Sequence, residues 1–78
     1  MSISRAEALA AARKLCRTFP SAPDPKQRAR AICGELLHAS DWTGSQRAAI
    51  EAVIAWLQDY PSPGELRPRC EQLLASLG

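Results

Sequence analysis

The run from Ala48 to Leu57, Ala-Ala-Ile-Glu-Ala-Val-Ile-Ala-Trp-Leu, constrains the fold more than any other stretch of the chain. It stays apolar on nearly every helical face, with Glu51 as its one charge. A surface helix hides one stripe, whereas a helix apolar all round must be covered on several sides. The run therefore predicts a central helix, packed by the rest of the chain and by a second copy.

Local signals divide the remainder into three more helices. Ser4-Arg-Ala-Glu7 is a capping box that opens a helix over about 4–18. Its apolar face is Ala8, Leu9, Ala12, Leu15, Cys16 and Phe19 at 100° per residue, and Pro20 ends it. Asp24-Pro25 supplies an acidic N-cap and a first-turn proline for a second helix over 25–39. The stripe there is Ala29, Ile32, Cys33, Leu36, Leu37 and Ser40. Thr43 with Gln46 is a second capping box, opening the central helix over 44–60. Ile50, Val53, Ile54 and Leu57 form its core stripe, widened by Ala49, Trp56 and Tyr60, with Ala48, Ala52 and Ala55 behind. Pro61 stops it. A short turn at 62–66 leads to a fourth helix over 67–77, with Pro68 at its first position and Leu66, Cys70, Leu73, Leu74 and Leu77 as its seam. The fold class is all-α: four helices in two αα-hairpins, one helical domain over 1–78, helix three central.

Such a chain has little core to spend. Of its 78 residues, fourteen are alanine, and the large aliphatics number nine Leu, four Ile and Val53. A domain this short buries only about 60–65% of its unfolded surface, so a few kcal/mol of monomer stability is expected. Self-association is one way to supplement such a core. The three cysteines, Cys16, Cys33 and Cys70, have no close pair and read as reduced thiols. With no signal peptide evident and no run of eighteen apolar residues, the expectation is a cytoplasmic protein without a membrane span.

The two hairpins show a weak internal repeat. Leu15 to Ser21 aligns with Trp56 to Ser62, and each hairpin turns at an aromatic-Pro-Ser corner, Phe19 or Tyr60. In both, the aromatic is expected to plug the open end while proline ends the helix. The second corner carries a family resemblance. Ala55-Trp56-Leu57-Gln58-Asp59-Tyr60-Pro61-Ser62-Pro63, with Leu66, resembles the tail of short, uncharacterised proteobacterial proteins that often occur near prophage genes. Those tails read as paired hydrophobics, two residues, then aromatic-Pro-Ser/Thr. The resemblance implies a setting, a phage or mobile element, and carries no activity.

Catalytic and metal constellations are not evident. His38 is the one histidine, on a polar face, and all three cysteines lie on apolar stripes where a thiol acts as a small hydrophobe. Cysteine gaps of seventeen and thirty-seven residues do not give the paired ligands of a zinc site. No cofactor is implied, and the expectation is a non-enzymatic protein.

Two binding readings remain. In the first, the chain is a protein-binding module that dimerises through the central helix and modulates a host protein by occupying its surface. Trp42, Arg47, Ala48, Ala52, Ala55 and Trp56 are its candidate contacts, because tryptophan and arginine dominate hot spots and the alanine face has nothing evident to cover it. Trp42 can also serve as a staple at the helix start, against the stem of Arg47. In the second, Arg13, Lys14, Arg17, Lys26, Arg28 and Arg30 on helices one and two hold nucleic-acid phosphates. Residues 1–40 carry seven Lys/Arg against three acids, which motivates that alternative. A helix-turn-helix reading is poor, since Gln46, Arg47, Ala48, Glu51 and Ala52 make a weak reading head.

Overall fold

The helices begin where short polar side chains can take up orphan amides. In the computed structural model, which describes residues 3–78, α1 spans Arg5–Arg17, α2 Pro25–Leu36, α3 Gly44–Gln58 and α4 Leu66–Leu77. Ser4 Oγ accepts from the Glu7 amide and Asp24 Oδ1 from the Gln27 amide, each at 3.2 Å. At α3 the capping box closes in both directions: Gln46 N–H donates to Thr43 Oγ1, and Thr43 N–H donates to Gln46 Oε1. Two 3₁₀ turns, Phe19–Ser21 and Pro63–Glu65, complete the path. The fold is the all-α four-helix array expected. Among the described residues, no helix is long and apolar enough to cross a membrane.

Helix ends differ from the sequence expectation by one to three residues, α1 being one residue shorter at each end. The second helix stops at Leu36 rather than 39, because the Trp42 indole donates to the Leu36 carbonyl at 2.7 Å and the chain turns through Leu37 and His38. Leu37 and Ser40 thereby leave the buried stripe, and Leu37 is 41% exposed. Ala39 is buried instead, bridged by backbone to Ile3. The third helix ends at Gln58 rather than 60. The fourth starts at Leu66, with Pro68 as its third residue rather than its first. The first four amides of a helix lack intrahelical acceptors, so the missing N–H of proline costs nothing there.

Residue size sets how closely the helices approach. α1 buries Ala8, Ala12 and Cys16, spaced by four, and α2 offers Ala29 and Cys33 among its buried residues. Small side chains at that spacing let two backbones come close, so α1 and α2 form the tightest pair. The buried residues of α3, Ile50, Val53 and Leu57, and of α4, Leu66, Cys70, Leu73, Leu74 and Leu77, are mostly larger. All four helices feed one cluster, with Ile32, Leu36, Ile50, Leu57, Cys33 and Cys70 its largest fully buried side chains.

Both α2 and α4 pack against all three other helices, whereas α3 packs chiefly against α2 and α4. This corrects the central position assigned to helix three. Ala48, Ala52 and Ala55 are exposed. Alanine is the strongest helix former and hides little area, so an alanine-rich run can lie at the surface.

Trp42→Phe isolates one of these ends. The ring stays, but the bond to the Leu36 carbonyl goes, so a loss of about 1 kcal/mol in urea unfolding is expected. An unchanged midpoint would show that the indole N–H does not hold the end of α2.

Candidate interaction surfaces

The six candidate protein contacts fall into three structural roles. Trp42 is half-buried against the core and ends α2, as above; its ring also lines a surface depression with Leu9 and Leu77. The staple against Arg47 is replaced by this end-of-helix role, because Arg47 Nε instead pairs with Glu51 at 2.9 Å along α3. Ala48, Ala52 and Ala55 line the exposed side of α3. Trp56 is half-buried, and the Arg69 guanidinium of α4 sits 4.8 Å from its ring centroid. A cation over an indole face is a favourable contact that also keeps the ring flat on the surface.

Arg69 is not among the candidate contacts that the sequence suggests, although hairpin spacing carries a signal for it. Trp56 and Arg69 stand nearly equally far from the middle of the turn between α3 and α4, and a hairpin pairs such residues. Beside them lies a groove of about 320 Å³, floored by Ala49, Ala52, Val53 and Leu73 and edged by Arg69 and Gln72. The alanine side of α3 and this groove form one continuous strip, apolar in the middle and polar at its rim.

The six candidate phosphate contacts do not share a face. Arg28 reaches across the first hairpin, donating to the Leu15 carbonyl at 3.2 Å and to the Thr18 hydroxyl. It thereby satisfies the end of α1 rather than pointing outward. Lys26 is half-buried, and Arg30 edges a different groove between α2 and α3, beside Gly34, Leu37 and Ile54. Arg13 and Arg17 instead rim a third groove, between α1 and α4, and Lys14 is exposed. A helical wheel places a side chain on its own helix and says nothing of what the neighbouring helix does with it.

That third groove measures about 430 Å³. Cys16 and Leu74 line its apolar part, and Arg67 and Glu71 face Arg13 and Arg17 from α4. Arg67 pairs with Glu71 at 3.4 Å, while Arg13 and Arg17 have no ion-pair partner among the described residues. The groove therefore carries a cationic excess over an apolar floor.

The thiols are free and buried. Burial pushes the Cys33 thiol up to about 11 and the Cys70 thiol up to about 12; neighbouring thiols and Glu71 add to the shift at Cys70. Cys16 is raised by burial and by Glu71, against an opposing effect of Arg67. Nucleophilic chemistry needs a thiol pushed the other way. His38 is exposed and lies 3.5 Å from Glu35, its neighbour one turn earlier. Among the described residues, no group of three His, Cys, Asp or Glu side chains is placed to hold a metal ion. No family model matches the chain, and no curated protein or solved structure matches it either.

Proposed function

We propose that this protein is a small non-enzymatic binding module that acts by occupying the surface of another protein. The observation that carries the reading is the α3 strip: exposed Ala48, Ala52 and Ala55 continuous with an apolar groove, with Trp56 held flat under Arg69 beside it. A strip of this kind lets a partner helix or edge approach closely. Its flanking aromatic and arginine are the residue types that dominate binding hot spots. Arg47 and Glu51, paired with each other at the rim, set register more than affinity. The resemblance of residues 55–66 to prophage-associated tails supports a host protein as the partner. Three buried thiols raised by burial and an exposed histidine support the non-enzymatic part of the reading.

A photo-reactive residue at position 52 or 55 is expected to cross-link one discrete partner in a bacterial lysate, while the same probe at exposed Ala10 on α1 does not. Ala52→Arg, also exposed, should shift stability by less than about 0.5 kcal/mol and yet remove the cross-link. Equal cross-linking from all three sites, or none from 52 and 55, would overturn the reading. A cross-link only to a second copy would make α3 a dimer seam instead.

A further inference from the structure

The corner between α3 and α4 departs from its counterpart between α1 and α2. Phe19 is buried and plugs the first hairpin as expected. Tyr60 is 95% exposed, with φ of 52°, so it neither plugs the second hairpin nor widens the α3 core stripe. A left-handed backbone is costly for a tyrosine, and the residue before a proline is further restricted. The chain holds an aromatic side chain wholly in water, on a strained backbone, with no contact in the monomer to account for it. Outliers of this kind are grounds for a functional hypothesis.

The segment around it, Asp59-Tyr60-Pro61-Ser62-Pro63-Gly64-Glu65, is acidic and contains no cation. Asp59 and Glu65 are both exposed. The α1–α4 groove is its chemical complement, with Arg13, Arg17 and Arg67 around an apolar floor and one acid, Glu71, already engaged by Arg67. The two features are also neighbours. Arg67 lies in the first turn of α4, immediately after the Pro63–Glu65 turn, so the acidic corner leads directly into one wall of the groove. A patch holding both a projection and its receptor is self-complementary, as a two-fold interface requires.

We infer that a second copy of this chain seats Tyr60 in the α1–α4 groove, with Asp59 and Glu65 meeting Arg13, Arg17 and Arg67, reciprocally in a symmetric dimer. The tyrosine ring lies on Cys16 and Leu74, and the carboxylates supply the partners that Arg13 and Arg17 lack. Nucleic acid fits this groove less well: Glu71 lies in it, and a handful of cations is short of the 6–10 phosphate contacts that drive strong binding. The contact leaves the α3 strip free, so it is independent of the function proposed above.

Sedimentation equilibrium of the intact chain tests this. A reversible dimer is expected at tens to hundreds of micromolar, weakening about tenfold between 0.05 and 0.5 M salt as the ion pairs are screened. Tyr60→Ala and Arg17→Glu should each be monomeric, and both positions are exposed, so neither variant removes core packing. Ala52→Arg should dimerise like the parent. A strict monomer, a dimer that persists in Tyr60→Ala or in Arg17→Glu, or a dimer lost in Ala52→Arg would overturn the inference. Binding of a short duplex DNA that Arg17→Glu abolishes, without any dimer, would assign the groove to phosphates instead.

Discussion

Leu36→Ala is expected to cost about 3 kcal/mol, a large share of the roughly 4–12 kcal/mol that a domain of this length holds. Leu36 is fully buried, in the same cluster as Ile32, Ile50 and Leu57. Truncating it removes the transfer energy of three carbons and leaves a cavity that its neighbours cannot close. Those neighbours come from helices fixed by their own caps, and α2, on which it sits, touches all three others. The end of α2 is also anchored at this residue by the Trp42 indole, so its backbone cannot slide inward to fill the space.

Leu37→Ala provides the control within the same experiment. Leu37 is 41% exposed and lies just past the helix, so its truncation should cost under about 1 kcal/mol. Urea unfolding followed by far-ultraviolet circular dichroism measures both. A periodicity running unbroken to residue 39 puts both leucines in the core and makes the two costs similar. Equal losses would therefore restore the longer helix and its buried Leu37.

That comparison also marks where sequence reasoning works and where it stops. Caps are legible because they are local: Ser4, Asp24 and Thr43 each accept from the amide three residues on. The expected box closes in both directions only at Thr43, Glu7 accepting from the Ser4 hydroxyl rather than from its amide. Most of the buried stripe is legible too, since Ala8, Ala12, Cys16, Ile32, Leu36, Ile50, Val53 and Leu57 recur at helical spacing. What escapes is anything decided by a second helix. The Ala48–Leu57 run reads as central because it lacks charge, but lack of charge in an alanine helix reflects propensity as readily as burial.

The candidate sites failed to be legible for the same reason. Arg13, Lys14, Arg17, Lys26, Arg28 and Arg30 group together only on the wheels of two separate helices. Hairpin geometry then turns Arg28 onto the end of α1 and sends Arg30 and Arg17 to different grooves. Trp56 reads from the sequence as widening the core stripe and as a candidate contact, whereas the arginine that covers its half-buried ring lies thirteen residues away on α4. Tyr60 looked like Phe19 because both precede Pro-Ser. Its left-handed backbone, which throws it outward, leaves no mark on a hydrophobicity pattern.

Alkaline pH should destabilise this protein from about pH 9 upward. In the unfolded chain the thiols ionise near the ordinary cysteine value, close to 9.0, whereas in the fold Cys33 and Cys70 are held up to about 11 and about 12. The folded state therefore keeps protons that the unfolded state gives up. Stability is fully present below pH 9 and falls as pH rises from there towards the folded values. Each such thiol contributes a slope of at most about 1.4 kcal/mol per pH unit, so the two together remove up to about 4 kcal/mol between pH 9 and 11. That is comparable to the cost of truncating Leu36. Urea midpoints recorded in reductant from pH 7.5 to 10.5 should show the decline. The double variant Cys33→Ala/Cys70→Ala should start less stable, because both side chains are core, yet lose much less over the same range. Exposed Tyr60, the lysines and the arginines are common to both proteins, so the difference between the two slopes belongs to the buried thiols. Parallel declines would mean that Cys33 and Cys70 ionise as easily folded as unfolded, which is incompatible with their burial in the core.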